Sequence, residues 1–125
     1  MGVVGVGIDV VDVPRFELVM GRRPRIVERL FTEGEQRTAR MKPERLAARF
    51  AAKEAVMKSL GVGAGSVPWK SIEVVRAPSG APLILLHGAA AELAASRGVN
   101  DVKISLTHTA MTAAAFVVSS STEGA

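Results

Sequence analysis

The sequence predicts a small mixed α+β domain with at least one sheet of three or more strands. Three observations lead there. Runs rich in β-branched residues, such as 3–11, 102–108 and 112–119, carry strand propensity. Between them lie segments with capping residues and 3.6-residue apolar spacing, the longest over residues 44–60. The chain has 125 residues, 48% hydrophobic and 22% charged, which suits one domain over 1–125 and excludes a large multi-domain enzyme.

The first strand covers 3–11 and ends at Asp12-Val13-Pro14, where Asp12 as N-cap and Pro14 in the first turn open a helix over 13–20 that Gly21 stops. A short segment, 25–31, leads to Thr32-Glu33-Gly34-Glu35, a capping-box spacing that starts a helix ending near Lys42. Pro43 opens the long helix, and Gly61 caps it. Its core side is Leu46, Ala47, Phe50, Ala51, Met57 and Leu60, with Arg49, Lys53, Glu54 and Lys58 falling between them. A glycine-rich loop, 61–65, follows. The second half reads as strand 71–76, turn Pro78-Ser79-Gly80, strand 82–87, helix 89–97, and strands 102–108 and 112–119, with 119–125 as a fraying tail.

Sixteen Lys and Arg oppose twelve Asp and Glu, a net charge of +4. All of that excess lies in residues 1–60, and Arg15, Arg22, Arg23, Arg25 and Arg29 crowd one stretch against Glu17 and Glu28 alone. Such a face attracts an acidic partner: nucleic acid, membrane, phosphorylated ligand or acidic protein. No cysteine is present, which removes disulfides, thiolate metal sites and thiol nucleophiles. No apolar run reaches the roughly 20 residues of a bilayer span. Asp9 and Asp12 interrupt the first apolar stretch too early for a signal peptide, so a cytoplasmic location is expected. Four Phe, one Trp and no Tyr leave a thin Ala/Val core that favours oligomerisation.

Asp9 is a carboxylate inside an apolar strand, a costly placement without a cation beside it. On the long helix Glu54 and Lys58 stand at i and i+4, with Arg49 and Lys53 on an adjacent strip. An isolated pair of this kind is a solvated face. Next to a helix end and a glycine-rich loop, it is also equipment for holding a divalent cation against a polyphosphate. His108 ends a polar strand and gains a role only near such a site, and His87 has less to recommend it. Gly5-x-Gly7 lies within a strand without the third glycine, so it is no dinucleotide fingerprint.

Three stretches, Gly7-Ile8-Asp9-Val10-Val11-Asp12-Val13-Pro14-Arg15-Phe16, Arg49-Phe50-Ala51-Ala52-Lys53-Glu54-Ala55-Val56-Met57-Lys58-Ser59-Leu60-Gly61 and Ser105-Leu106-Thr107-His108-Thr109, resemble the signatures of the holo-acyl-carrier-protein synthases. These are the small trimeric class of 4′-phosphopantetheinyl transferases, and the resemblance covers nearly the whole chain. It implies an antiparallel sheet of three or more strands packed on the long helix, in a homotrimer with sites at subunit clefts. It also implies transfer of the phosphopantetheine arm of coenzyme A to a serine of apo acyl carrier protein, releasing adenosine 3′,5′-bisphosphate, in fatty acid or polyketide synthesis.

Under that resemblance Asp9 and Glu54 ligate Mg²⁺ and Lys58 completes the catalytic set. Arg49, Lys53, Lys58, Gly61, Gly63, Ser105 and His108 border coenzyme A. Either Glu54 or a metal-bound water accepts the serine proton. Arg15, Arg22, Arg25 and Arg29, with Val19 and Met20, dock the acidic helix of the carrier; neither nucleic acid nor membrane is expected as a partner. Two departures stand out: Gly80-Ala81-Pro82 lacks the lysine common in relatives, and position 112 is Thr where an aromatic is frequent. The competing expectations are a non-catalytic basic module that binds nucleic acid or carriers, and an inactive homologue.

Overall fold

The computed structural model describes residues 2–122. Its elements run β1 (Gly2–Asp12), α1 (Val13–Arg22), α2 (Ile26–Leu30), α3 (Glu33–Ala39), α4 (Pro43–Ser59), a 3₁₀ turn (Trp69–Ser71), β2 (Ile72–Arg76), β3 (Pro82–Leu86), α5 (Gly88–Ser96), β4 (Asp101–His108) and β5 (Thr112–Ser121). One antiparallel sheet has the order β1-β5-β4, and β2 and β3 form a second, two-stranded one. Both pack around α4, as the sequence predicts for an α+β domain with a long central helix.

Main-chain contact sets the distance between β1 and α4. A Cβ at Gly5 would run into the Ser59 carbonyl oxygen, and one at Gly7 into that of Ala55. The Gly5-x-Gly7 pair is therefore a packing device. Beside it, the hydroxyls of Ser59 and Ser119 share a buried hydrogen bond of 2.6 Å, tying α4 to β5. Because β5 continues to Ser121, it takes in the first part of the segment expected to fray; residues 123–125 of that segment lie outside the described residues.

Local signals hold where local chemistry decides them. Asp12 Oδ2 accepts the Arg15 amide at 3.0 Å and caps α1. Thr32 and Glu35 form the capping box reciprocally, at 3.1 and 2.9 Å. Gly61, at φ 80°, follows the end of α4 in the left-handed region. Two helix ends differ by more than one residue. Helix α1 runs through Gly21, and α3 stops at Ala39 because Arg40 turns left-handed at φ 53°.

The larger difference concerns the strip of α4 that periodicity leaves between its core positions. Arg49 and Lys53 are 3% and 0% exposed. Lys53 Nζ donates to Glu35 Oε1 at 2.8 Å, to Trp69 O at 3.0 Å and to Ile72 O at 2.6 Å. Glu35 also accepts the Val74 amide at 2.9 Å. This buried hub binds α3, the 3₁₀ turn and β2 onto the helix. Phe50, in contrast, is half-buried and stands at one edge of a groove, its ring 5.1 Å from that of Trp69.

Candidate active site

From Gly5 onward the odd-numbered residues of β1 point toward α4, and after the two glycines the next is Asp9. The strand therefore delivers a carboxylate where the helix presents Glu54 and Lys58. Asp9 Oδ1 accepts Lys58 Nζ at 3.3 Å, and the same ammonium donates to Ile8 O at 2.9 Å. Burial, and then the charge of Asp9, push the Glu54 carboxyl above its ordinary value, while Lys58 pulls it back. Two mutually repelling carboxylates beside one ammonium suit a divalent cation. Among the described residues no group of three or more His, Cys, Asp or Glu side chains comes together. Two carboxylates with the remaining positions left to water and substrate oxygens is the donor set Mg²⁺ prefers.

The carboxylates open into a groove of about 610 Å³ walled by Phe16, Val19, Ile26, Leu30, Phe50 and Trp69, with Arg15 on its rim. Arg22 at the end of α1, Arg25 before α2 and Arg29 within α2 are exposed, as are Leu18 and Val19, at 59% and 37%. Met20 is half-buried against the core instead.

Arg49 and His108 meet elsewhere. They line a pocket of about 210 Å³ together with Arg45 and Arg76, two cations the sequence did not point to. Burial, and then the Arg76 charge, push the Arg49 guanidinium below its usual value. Its Nη1 donates to Arg45 O at 3.1 Å, and its Nε is buried without a partner. Three arginines and no lining carboxylate make a receptor for an anion. Arg45 was within reach of inspection, lying four residues before Arg49 on one helix face; Arg76 arrives from β2 and has no local signal.

Three expected contacts sit badly. Lys53 is sealed in its ion pair and reaches no surface. The Gly61 amide is already bonded to Lys58 O at 3.0 Å, so it is not free to cradle phosphate. Ser105 pairs with Phe116, lies with it on the exposed sheet face and lines neither pocket of this chain. Gly63 is exposed in the loop beyond Lys58, its carbonyl accepting the Ser66 hydroxyl at 2.6 Å.

The family model of the 4′-phosphopantetheinyl transferase superfamily matches residues 5–115. The holo-[acyl-carrier-protein] synthase of Frankia casuarinae is 51% identical over 118 residues, 94% of this chain and 98% of its own. That of Moorella thermoacetica is 46% identical over 105 residues, 82% of each chain. Among solved structures, the Helicobacter pylori holo-[acyl-carrier-protein] synthase in complex with coenzyme A superposes with a TM-score of 0.83 at 32% identity, covering 92% of this chain and 99% of that one. The Mycobacterium tuberculosis acyl carrier protein synthase gives 0.75 at 40% identity, covering 96% and 99%. With its Asp9–Glu54–Lys58 cluster set between strand and helix, the chain belongs to the holo-acyl-carrier-protein synthases of the 4′-phosphopantetheinyl transferase superfamily.

Proposed function

We propose that the protein transfers 4′-phosphopantetheine from coenzyme A to a serine of apo acyl carrier protein in the cytoplasm, in a Mg²⁺-dependent reaction serving fatty acid synthesis. The observation that carries this is the pair of crowded carboxylates at the head of an apolar groove with Arg15 on its rim. The serine oxygen attacks the phosphorus that bears the pantetheine arm, the bond from that phosphorus to the bridging oxygen breaks, and adenosine 3′,5′-bisphosphate leaves. Asp9 and Glu54 would hold Mg²⁺, which offsets charge on the pyrophosphate when bound. Lys58, bonded to Ile8 O and Asp9, would neutralise the leaving phosphate.

The anion pocket explains how this chain does without a lysine at position 81. Arg45, Arg49, Arg76 and His108 would take the remaining phosphate of coenzyme A. Arg49 and Glu54 lie five residues apart on α4, about 140° of helical rotation, so the two half-sites look out on different sides of the helix. A neighbouring copy that brings its arginine pocket to these carboxylates completes the site, as in a trimer. The surface for that copy is the outer sheet face, where Val6, Ile8, Val10 and Phe116 are 57%, 60%, 63% and 46% exposed.

Burial of Phe16 and Phe31, the aromatics of the basic segment, leaves nothing there on which bases could stack and disfavours a nucleic-acid module. No helix among the described residues is long and apolar enough to cross a membrane. The test is mass spectrometry of an apo carrier incubated with coenzyme A, with and without Mg²⁺. A gain of one phosphopantetheine that needs Mg²⁺ is expected; no gain, or the same gain with Asp9→Ala, overturns the assignment.

A further inference from the structure

The groove at Asp9 and Glu54 does not end at Trp69. A second hollow of about 520 Å³ shares Ile26, Leu30 and Trp69 with it and continues to Pro68, Arg29 and Lys70. The two form one trough along α2, carboxylates at one end and two cations at the other. Ile26 and Leu30 stand one helical turn apart and give it an apolar floor. Arg29 and Lys70 are both exposed, and neither belongs to an ion pair among the described residues. No acidic side chain lines their end of the trough.

We propose that Arg29 and Lys70, facing each other across the Trp69 end of this trough, form a second docking point that receives a carboxylate of the acidic carrier protein. This rests on the transferase reading and adds to it a specificity residue, Lys70, from outside the basic helices. The occupant follows from complementarity. A partner that brings its nucleophile to Asp9 and Glu54 must lie along the trough, set an apolar side chain over Ile26, Leu30 and Trp69, and carry negative charge at the far end. The backbone that carries the cation is also held in place beforehand. Lys53 fixes the Trp69 carbonyl at 3.0 Å, and the His87 amide fixes the Ser71 carbonyl at 2.8 Å, so the main chain is anchored on either side of Lys70.

The test is steady-state kinetics on the full chain with apo acyl carrier protein, varying each substrate in turn. Lys70→Ala should raise KM for the carrier about 3-fold and Lys70→Glu about 10-fold, with KM for coenzyme A unchanged and a flatter dependence of kcat/KM on salt. Trp69 is the sole tryptophan, so its fluorescence should respond to the apo carrier without coenzyme A, and less so in Lys70→Glu. If Lys70→Glu leaves the carrier KM unchanged while Arg15→Glu raises it, the second docking point is wrong and the transferase assignment stands. A rise in KM for coenzyme A alone gives the trough to the nucleotide and overturns the proposal. Failure of the wild-type protein to modify any carrier overturns both. Should Lys70→Glu unfold, Lys70→Ala and the wild-type fluorescence decide.

Discussion

Lys53 and Glu35 meet at 2.8 Å with both side chains fully excluded from solvent, and between them they hold the carbonyls of Trp69 and Ile72 and the amide of Val74. Removing one partner strands the other as a buried charge. Lys53→Met should cost about 3–5 kcal/mol in urea unfolding, and adding Glu35→Gln should recover part of the loss, since the amide still accepts from Val74. A double variant less stable than the single one would show that the hub does not act as a pair.

The carboxyl of Glu54 titrates above its unfolded value of 4.5. In the metal-free protein its charged form is disfavoured by folding, so its contribution to stability is best at low pH and declines as pH rises from the unfolded value through the raised one. Glu54→Gln should therefore gain in melting temperature relative to wild type as pH goes from 4.5 to 7. Mg²⁺ should narrow that gap by stabilising wild type selectively. Transfer should nonetheless fall by roughly 10²–10³-fold or more. A gap that does not change with pH would remove the account by burial and like charge together.

Two glycine substitutions should act in opposite directions. Gly7→Ala drives a methyl into the Ala55 carbonyl and should cost about 1–3 kcal/mol, with kcat reduced because Asp9 shifts relative to Lys58. Gly21→Ala meets nothing within 4 Å and lies in α1, so it should stabilise by about 0.5–1 kcal/mol. Thermal denaturation of the two proteins side by side measures the contrast.

Arg49→Ala and Arg76→Ala should each raise KM for coenzyme A by roughly 10-fold, the loss of a charge-assisted contact, and leave KM for the carrier in place. Dephospho-coenzyme A, which lacks one phosphate, should erase the difference between wild type and these variants. If it does not, the pocket serves some other anion.

On the proposed shared site, wild type should sediment as an oligomer and Ile8→Asp or Phe116→Asp as monomers, and transfer should fall at least 10-fold although Asp9, Glu54 and Lys58 are untouched. Full activity from a monomer would refute the shared site.

What the sequence makes readable is what neighbours along the chain decide. Asp12 caps α1 and Thr32 pairs with Glu35 because the atoms involved lie three residues apart. Glu54 and Lys58 fall on one face for the same reason, and Asp9 stands out as a carboxylate in an apolar strand. Periodicity, however, cannot tell a wet strip of helix from one covered by distant chain. Lys53 and Lys58 look alike in sequence, yet Lys53 is covered by segments 16 to 19 residues further on and Lys58 stays half in water. Glu35 shows a local capping role and conceals a remote one, to Val74. Arg76 joins Arg49 only because the β2–β3 hairpin folds back on α4.

The alternation of β1 carries a last consequence. Gly5, Gly7 and Asp9 face the helix, and Val6, Ile8 and Val10 face outward, so the proposed chemistry and the proposed association fall on alternate letters of one strand. Sliding β1 by a single residue against β5 would turn Ile8 toward α4, where Asp9 now meets Lys58, and put Asp9 on the exposed face. On the proposed assembly and chemistry, correct strand pairing is thus a checkpoint for both at once: a misthreaded chain would present neither the apolar face nor the carboxylate pair.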